Sequence, residues 1–108
     1  MSEPDVGVIS QELAEELRRV YGPRLRELVL YGSWARGEAT SESDIDFLVI
    51  LDEYDDFSEE LRRLVKVSSA LTLKYNVYVS TQPIRIEEYQ QGRDSFLLDI
   101  RKEGRRVA

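Results

Sequence analysis

Eight consecutive residues, Asp44-Ile45-Asp46-Phe47-Leu48-Val49-Ile50-Leu51, constrain this chain more than any other segment. In an extended strand, successive side chains leave opposite faces. Ile45, Phe47, Val49 and Leu51 therefore share one face, and Asp44, Asp46, Leu48 and Ile50 share the other. The first face is wholly apolar, and the second is apolar except at its acidic near end. The pattern predicts an inner strand covered on both sides, with a pair of carboxylates at its mouth. Lying about 6 to 7 Å apart along one face, those carboxylates repel unless a cation lies between them. Hard divalent ions with oxygen ligands fill that role, and Mg²⁺ is commonly held by one or two carboxylates together with substrate phosphates. Taken alone, a D-x-D of this kind reads more plainly as a solvated acidic turn.

The upstream segment shifts the balance. Leu28-Val29-Leu30-Tyr31 is a short apolar run of the kind that forms a buried strand, and Gly32 follows it directly. Ser33 stands where an N-cap belongs, before Trp34-Ala35-Arg36, and Gly37 is placed to end the short helix. Such a junction aims backbone N–H groups at one point and suits a phosphate, with Arg36 adding a fixed positive charge. Trp34 reads as a packing residue beside the helix start rather than a base-stacking one.

Gly32-Ser33, ten intervening residues and Asp44-Ile45-Asp46 resemble the G-S-x10-D-x-D signature of the DNA polymerase β-like nucleotidyltransferases. The fuller string GSWARGEATSESDIDFLVI, about a fifth of the chain, is most similar to the minimal nucleotidyltransferases, small prokaryotic proteins often paired with a HEPN-domain partner. The resemblance implies an α/β (α+β) polymerase β-like fold, a mixed sheet of about three core strands flanked by helices. It implies one minimal nucleotidyltransferase domain over residues 1–108. It also implies Mg²⁺ as cofactor and ATP as substrate, with Asp44 and Asp46 as catalytic metal ligands and Gly32, Ser33 and Arg36 on the triphosphate. The activity it implies is AMP transfer from ATP to a tyrosine hydroxyl of a HEPN-type toxin, the chain acting as antitoxin. The alternative is a weak or inactive nucleotide-binding antitoxin that inhibits by stoichiometric complex formation. Active members carry a third carboxylate at the start of the next core strand, and alignment by order places Asn76 there. An amide offers a neutral oxygen to a metal but is no carboxylate base.

Composition narrows the chemistry. The chain has 108 residues, room for one modest core, and no linker-like or repeated tract. It has no cysteine and no histidine, which removes disulfides, thiolate metal sites and imidazole bases. A net charge of −6 argues against a long nucleic-acid footprint and favours a small substrate or a protein partner, with homo- or hetero-association left open. No apolar stretch approaches a membrane span and no leader pattern opens the chain, so a soluble cytoplasmic protein is expected. Arg101, Lys102, Arg105 and Arg106 form a basic cluster that reads either as a solvated helix end or as a docking patch.

Periodicity places the remaining elements. Ser10 is expected to cap a helix running through about Tyr21, with Leu13, Leu17, Val20 and Tyr21 inward and Gly22-Pro23 ending it. Ser58 is expected to cap a second long helix with Leu61, Leu64, Val65, Ser68, Leu71 and Tyr75 inward. Asn76 to Ser80 reads as a third strand broken by Gln82-Pro83. Ile86 to about Lys102 then reads as one closing helix with Tyr89, Phe96, Leu97 and Ile100 inward.

Overall fold

A computed structural model describes residues 4–108. Helix α1 (Val6–Tyr21) leads through a 3-10 turn (Gly22–Arg24) into strand β1 (Leu25–Tyr31), short helix α2 (Ser33–Arg36) and strand β2 (Ile45–Leu51). Helix α3 (Phe57–Tyr75), strand β3 (Val79–Arg85), helices α4 (Ile86–Gln91) and α5 (Ser95–Glu103), and the two-residue strand β4 (Arg105–Arg106) complete the order. The strands form one mixed sheet in the order β3-β2-β1-β4. β2 runs parallel to β3 and antiparallel to β1, and β4 is antiparallel to β1.

β2 is the inner strand its sequence demands. Ile45, Phe47, Val49 and Leu51 join Leu28 and Leu30 of β1 under α1 and α3, in a core that includes Ile9, Leu13, Leu17, Leu64 and Leu71. Leu48 and Ile50 face the other way with Val29 and Ile84, beneath Leu97 and Ile100 of α5. The connection from β2 to β3 runs through α3, the kind of helical crossover a parallel pair requires.

Several boundaries differ from expectation, each for a local reason. α1 starts earlier because Asp5, not Ser10, is its cap, accepting from the Val8 N–H at 3.1 Å. Ser10 lies buried within the helix, Ile9 and Ala14 are core residues, and Val20 is exposed. Asp56 caps α3 by accepting from the N–H groups of Ser58 and Glu59 at 3.0 and 3.3 Å, so Ser58 is inside the helix. The inward face of α3 follows Glu60, Leu64, Ser68 and Leu71, with Val67 packed at its edge and Val65 exposed.

Asn76 does not open the third strand. It ends α3 in the left-handed conformation (φ 54°, ψ 42°), and β3 begins three residues later at Val79. Gln82 and Pro83 lie inside β3, where Pro83 stands opposite Val49. Proline is tolerated there because β3 is an edge strand, whose outward N–H has no ladder partner to lose. The single closing helix divides into α4 and α5. The Asp94 carboxylate starts α5 by accepting from the Leu97 N–H at 3.0 Å, and Phe96 remains partly exposed. The basic cluster is dispersed: Arg101 donates to the carbonyls of Tyr89 and Gly92, and Arg106 pairs with Glu27 at 3.3 Å.

Candidate active site

The site forms where β1 hands over to α2 beside the opening of β2. Gly32, not Ser33, is the N-terminal cap of α2; the N–H groups of Ala35 and Arg36 return to its carbonyl at 3.1 and 3.2 Å. Its φ of 77° with ψ of −157° belongs to a region that only glycine occupies without strain. A Cβ placed there would stand 2.6 Å from Oδ2 of Asp46. The turn and the acidic strand thus meet in atomic contact, and the missing side chain makes the approach possible. Ser33 is the first residue of α2 and Arg36 its last, with Gly37 following in the left-handed conformation.

Asp46 sits on β2 between Tyr31 of β1 and Ser80 of β3. Asp44 lies just outside the strand and is exposed. Burial, and then the Asp44 carboxylate, push the Asp46 carboxyl above its ordinary range, while Arg36 pulls it back. Burial and the Asp46 carboxylate likewise push the Tyr31 hydroxyl up to about 12. Asp44 and Arg36 therefore both act electrostatically on Asp46, with opposite signs. The loop before Asp44 is anchored by Trp34, whose indole N–H donates to the Ser43 carbonyl at 3.3 Å while the ring packs on the core.

Arg36 pairs with Glu38 at 3.3 Å and reaches Glu103 of α5 at 3.9 Å. It lines a cavity of about 230 Å³ together with Tyr31, Gly32, Phe96, Asp99 and Ile100. The sequence pattern marks Tyr31 only as the end of a buried strand and does not mark Ser80, because strand register is not written in the local pattern. β3 carries no acidic residue, and the one opposite Asp46 is Ser80. Among the described residues no group of three or more acidic side chains is placed to hold a metal.

The donor set still fits a hard divalent ion bridged to phosphate. Two carboxylates, one of them held partly dehydrated beside its neighbour, lose their mutual repulsion when a cation is shared with phosphate oxygens.

The nucleotidyltransferase-domain profile matches residues 10–107. This chain belongs to the nucleotidyltransferase domain family. A Methanocaldococcus jannaschii relative, provisionally named a protein adenylyltransferase, is 31% identical over 72 residues, covering 67% of this chain and 72% of its own. A second relative from that organism, named the same way, is 34% identical over 70 residues, covering 65% of this chain and 64% of its own.

Among solved structures, the fold is similar to a chain of a toxin–antitoxin crystallised with AMP-PNP. The TM-score is 0.63 at 18% identity, covering 90% of this chain and 71% of that one. It is also similar to a chain of a Shewanella oneidensis complex between a tri-AMPylated HEPN toxin and its MNT antitoxin. There the TM-score is 0.56 at 16% identity, covering 94% and 71%. The α+β architecture with a mixed four-stranded sheet is that of these MNT proteins. Among the described residues no helix is long and apolar enough to cross a membrane.

Proposed function

We propose that this nucleotidyltransferase moves AMP from ATP to a tyrosine hydroxyl of a HEPN-type partner and so acts as its antitoxin. The observation that carries the proposal is the contact between the Asp46 carboxylate and the Gly32 turn. It supports reading the turn as an anion-binding backbone corner and Asp46 as a metal-binding acid, because the two lie within one ligand's reach. The names of the relatives and the contents of the similar complexes supply the acceptor class.

In this reading Gly32 and Ser33 hold the triphosphate and Arg36 offsets its charge, exchanging its pairing with Glu38 and Glu103 for phosphate oxygens. Asp44 and Asp46 hold Mg²⁺. When bound, the metal supplies positive charge for the oxygens that gain charge at the α-phosphorus. Gly32 lets the backbone approach without displacing Asp46. Residues 1–108 act as one catalytic unit in this proposal, in the cytoplasm beside the partner.

A second reading has its own support. Because β3 offers Ser80 and no carboxylate opposite Asp46, proton removal from the acceptor lacks a side-chain base on that strand. A slow enzyme, or a nucleotide-binding antitoxin that inhibits by occupying its partner, fits that substitution. Incubation with labelled ATP, Mg²⁺ and the product of the adjacent gene separates the two. Label on the partner, lost with Asp44→Asn and Asp46→Asn together, is the expected result. A tight complex that never gains label would establish the inhibitory reading instead.

A further inference from the structure

We infer that the cleft on the β3 side of Asp46 receives the aromatic ring of the acceptor tyrosine. This deepens the transfer reading above and rests on it. The starting point is the placement of two cavities on one face of the sheet, on opposite sides of β2. On the β1 side lies the space lined by Tyr31, Gly32 and Arg36. On the β3 side lies a cleft of about 330 Å³ whose floor is Leu48, Gln82 and Ile84 and whose rims are Phe57 and Phe96. Phe96 lines both spaces, standing edge-on to Tyr31 with ring centroids 5.6 Å apart, so one side chain separates them.

Displacement at phosphorus requires the attacking oxygen to approach opposite the leaving group. With pyrophosphate held at the Gly32–Arg36 end, the nucleophile must arrive from the β3 side of Asp46. Leu48 follows Asp46 on the same face of β2, and Gln82 stands beside Leu48 in the parallel register. A ring seated over Leu48 and Gln82 therefore lies about one side-chain repeat, roughly 7 Å, from Asp46. A phenol seated there with its oxygen pointed back along β2 presents that oxygen to the Asp46 end of the strand, where the metal and the α-phosphorus fill the remaining gap.

The lining suits an aromatic side chain. Phe57 and Phe96 are 45% and 44% exposed, large apolar surface left open beside a charged site. The wall is fixed in advance: the Arg85 guanidinium donates to the Tyr54 carbonyl at 2.7 and 3.1 Å and lies 4.3 Å over the Tyr54 ring. The Asp94 carboxylate is likewise engaged, on the Leu97 N–H. The cleft volume stands at the lower end of the usual ligand range of about 300 to 1,000 Å³, which leaves room for one aromatic side chain. In the step itself the phenolic oxygen bonds to the α-phosphorus of ATP. The bond from that phosphorus to the bridging oxygen breaks, pyrophosphate departs, and the phenolic proton passes to water.

Phe57→Ala opens one rim and Gln82→Trp fills the floor; both positions are exposed. The wild type and both variants are titrated with N-acetyltyrosine amide by amide chemical shift. Each is also assayed for AMP transfer from Mg²⁺·ATP to a tyrosine-bearing peptide. The tyrosine amide is expected to shift Leu48, Gln82 and Phe96 in the wild type but not in Gln82→Trp. Each variant should lower kcat/KM for the peptide by about tenfold or more, while the dissociation constant for Mg²⁺·ATP moves less than about twofold. Transfer that both variants leave intact, with shifts absent from the cleft, overturns the inference and leaves the proposed function standing. Cleft shifts in a wild type that transfers no label leave the cleft assigned and overturn the transfer reading.

Discussion

Gly32 and Gly37 flank the same four-residue helix and both have positive φ, yet their substitutions should differ in kind. A Cβ at Gly37 meets nothing within 4 Å, so Gly37→Ala carries only the left-handed backbone cost of about 1 kcal/mol. At Gly32 the backbone conformation is more restrictive and the new carbon meets Asp46, so Gly32→Ala should cost about 2 to 3 kcal/mol. It should also abolish Mg²⁺·ATP binding, which Gly37→Ala should leave measurable. Thermal unfolding and ATP titration on both variants check this, and equal losses in the two would remove the special role of the Gly32 turn. Asp46 yields the opposite sign. Its folded-state pKa is raised, by burial first and by Asp44 second. Its stabilising contribution is therefore full below the ordinary carboxylate value and is lost as pH rises through the raised one. In metal-free buffer at neutral pH, Asp46→Asn should melt above the wild type, with the gap closing as pH falls into the carboxylate range. Adding Mg²⁺ and ATP should raise the wild-type Tm and leave the variant unmoved.

At the scale of elements, helix starts show where local sequence was ambiguous. Ser10 and Ser58 each look like a cap, but aspartates at positions 5 and 56 make the bonds. Asp56→Ala should therefore lower stability by about 1 kcal/mol, whereas Ser58→Ala should stay within about 0.5 kcal/mol. Urea unfolding compares them, and a larger loss from Ser58→Ala would contradict the capping geometry. β2 was readable because eight residues carry two apolar faces and one acidic end, a pattern with few other solutions. Of β3 only the start was readable: the pattern predicts a strand through Ser80, but Pro83 reads as a break, and only the sheet order reveals that this strand is an edge that continues through it. The same gap hid Ser80 as the neighbour of Asp46, because register depends on partners distant in sequence. Gly32, Asp44 and Asp46 could be grouped from spacing, and the structure brings Gly32 and Asp46 into contact. The cleft beside them involves Phe57, Gln82 and Phe96, which share no sequence period at all.

The whole molecule is asymmetric about its sheet. Beneath α1 and α3 lies the larger core, with fully buried Ile9, Leu13, Leu17, Phe47, Leu64 and their neighbours. On the opposite face α4 and α5 cover a smaller set, Val29, Leu48, Ile50, Ile84, Leu97 and Ile100. Local opening follows buried apolar contact, so the α4–α5 layer should open at a lower free energy than the α1–α3 layer. That layer also walls both cavities beside Asp46 through Phe96, Leu97 and Ile100. A ligand bridging the Gly32 turn and α5 therefore stabilises the weaker layer. Hydrogen exchange should show amides of Ser95–Glu103 exchanging faster than those of the buried turns of α1 and α3. Mg²⁺·ATP should slow Ser95–Glu103 selectively. If α1 opens first, or if nucleotide protects both layers alike, the division of the fold into a stable support and a ligand-responsive cover is wrong.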